Sequence, residues 1–538
     1  MRSPKLWCVL AVLGGAVLAA PGYAQGDPSA QDASPSATAA RPASGDDVEQ
    51  LRREVAQLRA QLKRLLAAGA PAQAADARIV PIATGAPLPA AAQDSNAPAP
   101  VTHADIEALQ KEIDALQKKT YDAAPKTSGW NGEHFFLRSA DGEFLLMPIG
   151  YVGEQYTYYG NGYGTPANTF AITRANFGVQ GNYGKQLDYA FSFATNTSTA
   201  IRDAFLDFKP YDEFKIMAGL NKVPFSMEVG TADTSVEFFN RSIISVLYPD
   251  AGGTFRAPGV DLHGDVAGGR FEYWAGAFNG QGLLASGTTN EPELVGRVRF
   301  TPWKGSGIAA LEKFSFGGSI EHSRSKGLNK EQSFSGQLND GAYTFFPQFT
   351  INGNVLRYNA FFSWVDGPLG IRGEYASLTQ DRANIGTLAT DGIAFVSAPP
   401  VKGSGFYLSG TYLLTGEDEP VNALPRVKHP VIGPNSPGES GAPGWGAWAV
   451  KFRYSRMQAN AYGNTCDATT IPACPLTPSI VPGFSDTTVQ YTGGVNWYLN
   501  YWVLLKAEVN VDQLKDPSVG GVLPRNFTVF VTSLQYRF

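Results

Sequence analysis

In the segment GAWAVKFRYS, Lys451 and Arg453 stand at alternate positions, and Trp448, Val450, Phe452 and Tyr454 fill the places between and around them. A strand turns successive side chains to opposite faces, so this segment predicts one cationic face and one apolar face. The arrangement recurs. ELVGRVRF sets Arg297 and Arg299 against Leu294, Val298 and Phe300, and NYWVLLKAEVNV sets Lys506 and Glu508 against Tyr501, Val503, Leu505, Ala507 and Val509. LGIRGEY sets Arg372 and Glu374 against Ile371 and Tyr375, and ITRANFGV sets Arg174 and Asn176 against Phe177 and Val179. Rows of guanidinium and ammonium groups offer electrostatic chemistry: they attract and orient anions without making or breaking bonds. Catalytic patterns are missing. His103, His134, His263, His322 and His429 are scattered without metal-ligand spacing, no GxSxG elbow exists, and Gly184–Lys185 lacks the phosphate-loop pattern. Asp261 and His263 share one strand face, which the lining of an internal space explains. The residues point away from an enzyme, and no cofactor or metal site is expected.

The elements that must carry these faces are strands. Charged residues make up 17% of the chain, below the roughly 25% of soluble domains. Aromatics make up 12%, and there are 59 glycines, a composition that suits a β-protein with a wide apolar belt. The net charge of −5 gives no basic field for nucleic acid. From about Glu143 the hydrophobic period is two, and turn signals divide the chain into about sixteen strands. The short gaps GKQ, PYDE, AGG, DGP and Leu499–Asn500 alternate with long ones at 224–258, 324–353, 380–403 and 459–483. One gap, 417–443, is long where a short turn is due. Short turns at one end and long loops at the other mark a transmembrane barrel. A lipid-facing Lys or Arg at mid-depth costs about 2–4 kcal/mol, so the cationic faces belong inside, around water. The expected fold class is an all-β, transmembrane antiparallel barrel of about sixteen strands. The final strand, TVFVTSLQYRF, puts Leu534, Tyr536 and Phe538 on its apolar face. An aromatic ending suits a membrane interface.

Ahead of the barrel, Arg2 and Lys5, the apolar run LWCVLAVLGGAVLAA and the small residues Gly22 and Ala24 predict a cleaved signal peptide over 1–24. Residues 25–43 read as disordered. Val48, Leu51, Val55, Leu58, Leu62 and Leu65 form a heptad seam, so 44–68 is expected to be a coiled-coil helix. An Ala/Pro linker covers 69–101, a second short helix 102–120, a further linker 121–132, and the barrel 133–538. Cys8 leaves with the signal. Cys466 and Cys474 remain, a disulfide candidate in an oxidising compartment.

Taken in order, SADG (139–142), RANFGV (174–179), GLNKVPF (219–225), EFFNRS (237–242), GAFNG (276–280), GPLGIRGEY (367–375), YLLTGE (412–417), GAWAVKFRYS (446–455), NWYLN (496–500) and Phe538 make the chain resemble the phosphate-selective porin O/P family. The resemblance covers about 133–538. It implies a homotrimeric outer-membrane channel of a Gram-negative bacterium, seated in outer-membrane lipid, with a periplasmic coiled coil and a third loop, 224–258, folded into each pore. On that pattern Lys222 lies at the start of the loop, Arg241 within it and Arg256 near its exit. Leu534, Tyr536 and Phe538 look like the signal read by the barrel-assembly machinery. The expected partners in transit are small anionic solutes such as phosphate. Departures exist: the family's paired arginines read Thr173–Arg174 here, FLLMPIGYV carries no basic residue, and the chain is net acidic. Alternatives are a weakly selective general diffusion porin, or a barrel acting mainly as an envelope anchor.

Overall fold

The computed structural model describes residues 53–54, 56–60, 111–113, 127–131, 134–160, 167–195, 200–249, 255–279, 291–335, 344–389, 392–433, 444–459, 485–517 and 526–538. Helical backbone is described at 53–54, 56–60 and 111–113, inside the two segments read as helices. The signal peptide, the remainder of both helices, the 460–484 connection and the Cys466–Cys474 candidate pair lie outside the described residues. Two compact units divide the chain. One takes in Ser128–Arg138 and Glu143–Phe538, and the helical residues fall in the other.

Eighteen strands make up the first unit's sheet. A short hairpin comes first, β1 (Ser128–Trp130) and β2 (Phe135–Arg138). Then follow β3 (Phe144–Tyr159), β4 (Thr169–Tyr183), β5 (Leu187–Ala194), β6 (Ala200–Tyr211), β7 (Phe214–Lys222), β8 (Arg256–Val266), β9 (Phe271–Phe278) and β10 (Glu293–Phe300). The rest are β11 (Ser315–Ser335), β12 (Thr344–Asp366), β13 (Leu369–Ala389), β14 (Gly392–Leu413), β15 (Ala447–Ala459), β16 (Ser485–Tyr498), β17 (Val503–Pro517) and β18 (Asn526–Arg537). Each strand from β3 onward pairs antiparallel with the next, and β18 returns to pair with β3 from Val529↔Tyr159 to Arg537↔Tyr151. That closes a sixteen-stranded barrel without edges, as expected. Every sequence-read strand corresponds to one of β3–β18.

Two expected long loops are strands. β11 and β12 stay paired to Ser335↔Thr344, and β13 and β14 to Ala389↔Gly392. A tilted strand needs only about 9–11 residues to span a bilayer, so these hairpins continue the ladder well past the membrane. Once two strands leave lipid together, further pairing keeps satisfying their backbone groups.

The alternation lies as the charges require. Phe452 is 53% exposed and Leu294 53% on the outer surface, whereas Arg453 is 1% exposed and Lys451 4%. The inner wall is not polar throughout. Towards the long-loop end, Val355, Leu378, Val401, Met457 and Leu514 also face inward, and all are buried. They are covered by the connection between β7 and β8, which carries a helical turn, Met227–Gly230, and a 3-10 turn, Ile243–Leu247. Its Val223, Phe225, Val229, Ile243, Ile244, Leu247 and Tyr248 pack on that wall as one hydrophobic core inside the barrel. This is the infolded third loop.

The anomalous 417–443 gap also gains an account. At the short-turn end, the chain after β14 folds back onto the barrel: Glu419 N donates to Gly367 O (2.7 Å) and Val431 N to Leu499 O (2.7 Å). Leu424 packs with Leu413, Ala447, Ala449, Tyr498 and Leu504. The described part of this gap, 417–433, forms an inward plug at the rim in place of a turn.

Candidate functional site

The third loop crosses the lumen and is held from several directions. On one side β13 supplies Glu374. Its carboxylate accepts from Ser226 Oγ (2.9 Å), Met227 N (3.2 Å) and Glu228 N (2.6 Å), capping the loop's helical turn where the free N–H groups point. Tyr407 OH (2.9 Å), Asn359 Nδ2 (2.8 Å) and, at 3.5 Å, Tyr248 OH also donate to it. Ser226 Oγ in turn accepts from Val229 N at 3.2 Å. A lumen carboxylate, read from the sequence only as lining, positions the loop.

The loop's carbonyls take up cations from the wall. Arg174 donates to Phe239 O (2.6 Å) and stacks on the Phe239 ring at 5.1 Å. Lys506 donates to Val236 O (2.6 Å). Lys451 donates to Glu237 O (2.7 Å) and pairs with Glu508. Arg453 meets Asn240 O (3.0 Å), Glu228 (3.2 Å) and the Phe238 ring (4.4 Å). Alternation placed Lys451 and Arg453 on the inner wall. They reach the loop as closely as Arg174 does, because the loop lies against β15.

At the loop's root, Asp233 pairs with Arg241 (2.6 Å) and Arg202, and Lys222 stands 4.0 Å away. Burial alone would raise the Asp233 carboxyl, but Arg241, Arg202 and Lys222 outweigh it and hold it well below the usual carboxylate range. Lys222 also donates to Val229 O (2.9 Å) and Thr231 O (2.7 Å). Arg256 pairs with Asp203 at 2.8 Å. Sequence reading missed Arg202 because the register shifts between Ser192 and Phe193, which leaves Arg202 as an extra residue in β6. A bulge breaks simple alternation, so Arg202 and Asp203 both find partners in the interior.

At the short-turn end, Arg372 links the two inward segments. It pairs with Glu237 of the third loop, and its Nη2 reaches Glu419 (3.0 Å) and Pro420 O (2.9 Å) of the rim plug. Thr231 Oγ1 donates to Asn422 Oδ1 at 3.1 Å, a second link between loop and plug. Between them lies a small cavity lined by Glu228, Glu237, Arg372, Asn422 and Arg453 among others. Arg299 pairs with Glu272. Arg297 alone of the ten candidate cations has neither hydrogen bond nor ion pair among the described residues. It rests against the rings of Trp274 and Phe361.

Phe538 sits at the barrel seam. It exchanges backbone hydrogen bonds with Gly150 (2.9 and 3.0 Å), and its ring lies 5.9 Å from that of Phe177. Leu534 and Tyr536 follow it on the outer surface.

Sixteen closed strands with apolar residues outside, charges inside and a loop folded across the lumen define an outer-membrane porin. The model of the family described as phosphate-selective porin O and P matches residues 152–538, and the chain belongs to that family. It forms a passive channel for small solutes in the outer membrane of a Gram-negative bacterium. No curated protein matches it by sequence. Solved structures similar to it include OmpT of Vibrio cholerae, at 12% identity and a TM-score of 0.46, covering 75% of this chain and 99% of that one. The anion-selective porin from Comamonas acidovorans is similar at 12% identity and 0.45, covering 73% and 99%. The outer-membrane channel DcaP of Acinetobacter baumannii is similar at 12% and 0.45, covering 75% and 99%.

Proposed function

We infer that the chain works as a homotrimeric channel that prefers small anions, phosphate among them, and performs no catalysis. The supporting observation is the charge around the third loop. Among the described residues, eight cations lie on it or bond to it: Arg174, Arg202, Lys222, Arg241, Arg372, Lys451, Arg453 and Lys506. Five carboxylates do the same: Glu228, Asp233, Glu237, Glu374 and Glu508. A net acidic chain thus concentrates a positive excess at the loop folded across its lumen. A field from fixed charges acts most strongly there, at separations near the Debye length of about 8 Å at physiological salt. The N-terminal residues 44–68 and 102–120 are assigned to a periplasmic coiled coil, released after signal cleavage at 1–24. Leu534, Tyr536 and Phe538 are assigned to recognition by the assembly machinery, and Cys466 and Cys474 to a disulfide.

A second reading, a weakly selective diffusion pore, draws on the pairing itself. A cation tied to a carboxylate presents little net field. Reversal potentials across planar bilayers in a potassium chloride gradient separate the two. The anion reading expects a potential on the chloride side. A potential near zero supports the general pore, and negligible conductance supports the anchor alternative.

A further inference from the structure

Closure of the barrel needs only β3–β18, so the hairpin β1–β2 is an addition to it. The hairpin nevertheless has a fixed place. β18 follows one edge of β3 as far as Arg537↔Tyr151, and Phe538 continues to Gly150. β2 then takes up the same edge, at Leu137↔Leu146 and Arg138↔Leu145. β1 pairs with β2 from Ser128↔Leu137 to Trp130↔Phe135. The hairpin thus lies just past the end of the terminal strand. Its Trp130 ring comes 5.4 Å from that of Trp502, whose carbonyl accepts from Arg537 N at 2.9 Å. This is the short-turn end, which in outer-membrane barrels faces the periplasm.

Alternation sorts the hairpin into two faces. Ser128, Trp130, Phe135 and Leu137 share a face with Leu146, the partner of Leu137. Leu146 and Pro148 have the parity of Gly150, which lies under the Phe538 ring on the outer surface. Phe135 is 65% exposed, Leu137 55% and Trp130 42%. The other face carries Arg138, whose guanidinium stands 5.5 Å from the Phe136 ring. The hairpin repeats the barrel's arrangement, apolar residues outward and charge turned away from them. Such a face is unfavourable in water. Between hairpin and barrel lies an open hollow of about 460 Å³, lined by Gly129, Trp130, Phe135, Phe136, Leu137 and Pro148. Clefts that hold small ligands span about 300–1,000 Å³.

A second copy of the chain is a poor fit to this face. A stable protein contact takes about 800 Å² from each partner. An aromatic side chain covers at most about 150–250 Å², and the hairpin offers two of them, partly exposed, with one leucine. Lipid sets no such minimum. It requires an apolar face that continues the membrane-facing surface, and this one runs on into Leu146, Pro148 and Phe538. An indole at the depth of the glycerol esters also finds an acceptor for its N–H, the reason Trp gathers at bilayer interfaces.

We propose that the β1–β2 hairpin is a phospholipid seat, in which the upper acyl chain of one inner-leaflet phospholipid lies against Trp130, Phe135, Leu137 and Pro148, with a glycerol-ester carbonyl within reach of the Trp130 N–H. The seat holds at the membrane surface the point where the chain enters the barrel, and it covers the end of β18. It is independent of which ion the channel prefers.

The test is photo-crosslinking of the full chain, refolded into vesicles of phosphatidylethanolamine and phosphatidylglycerol. The photoreactive residue p-benzoylphenylalanine replaces Phe135, Leu137, Leu145 on the inner face, or Phe452 on the open outer wall. Irradiation should add the mass of one phospholipid at 135 and 137 several-fold more often than at 145. After extraction into mild detergent, the adduct at 135 and 137 should persist, whereas that at 452 should be lost. Loss at all three would mean ordinary surrounding lipid and overturns the seat. Products joining two chains give the face to a second copy, products within one chain give it to the N-terminal segment, and either result overturns the proposal, as does the absence of any product at 135 and 137. Should the Phe135 replacement fail to give heat-modifiable protein, the Leu137 replacement decides. Should both fail, Trp130→Phe decides in vesicles of brominated phosphatidylcholine. The emission this change removes should be quenched more by bromine near the glycerol end of the acyl chain than near its methyl end, and the absence of that difference overturns the seat.

Discussion

The ring of Phe538, the last residue, lies over the bare backbone of Gly150, and the two residues exchange both backbone hydrogen bonds across the seam that closes the barrel. A Cβ at position 150 would collide with that ring. The aromatic ending is therefore part of the closure of the barrel as well as a feature of its surface.

Gly150→Val should consequently weaken the seam by about 1–3 kcal/mol, the usual cost of overpacking a close contact. Deleting Phe538 removes both hydrogen bonds and the contact with Phe177. Both changes should lower the yield of heat-modifiable protein refolded into lipid vesicles, where no assembly machinery is present. Normal refolding in vesicles combined with poor insertion in cells would assign the terminal residue to the machinery alone.

The third loop makes a different demand. Ile244 is 0% exposed and belongs to the core that joins the loop to the inner wall, with Met457, Val401 and Leu378. Truncating a buried Ile to Ala costs about 2–5 kcal/mol. Ile244→Ala should loosen the loop, raise single-channel conductance and increase current noise, while leaving the reversal potential close to that of the parent, since no charge changes. Unaltered conductance would mean that the polar contacts of Glu374, Lys451 and Arg453 hold the loop without help from the core.

That core marks where sequence reading stopped. Alternation within each strand was enough to fix sixteen strands, their inner and outer faces, and the inward direction of Arg174, Arg297, Arg372, Lys451 and Arg453. All of that is local and periodic. Met457 and Leu514 share the parity of Lys451 and Lys506, so the pattern did contain the signal that the inner wall turns apolar towards one end. It has meaning only once a loop from elsewhere covers that wall. The partners of the cations were hidden for a related reason. Most are backbone carbonyls of the third loop or single carboxylates far away in the chain, such as Glu228 for Arg453. Neither leaves a spacing to read. The bulge at Arg202 defeats alternation outright. The long 417–443 gap was visible as an anomaly, but its purpose depends on Arg372, more than forty positions earlier.

The plug formed by that gap gives a pH prediction. Glu419 is buried beside Arg372 and close to Glu237. Burial, with the Glu237 charge adding to it and Arg372 opposing it, raises its carboxyl from the ordinary range to about 8. When the plug is undocked and solvated, the same group should titrate near 4.3. The docked state therefore binds a proton more tightly than the undocked one. By linkage, docking is strongest below the undocked value, weakens as pH rises between the two, and loses this contribution fully once pH passes about 8. At low pH one proton lets Glu419 and Glu237 share Arg372. At high pH two carboxylates compete for one guanidinium in a buried site. Conductance should accordingly climb between about pH 5 and pH 8 as the plug loosens, then level off. Glu419→Gln mimics the protonated form and keeps an acceptor for Arg372, so its conductance should stay flat and low over the same range. An equally steep rise in Glu419→Gln would place the titration at another group and detach the plug from any control of the pore.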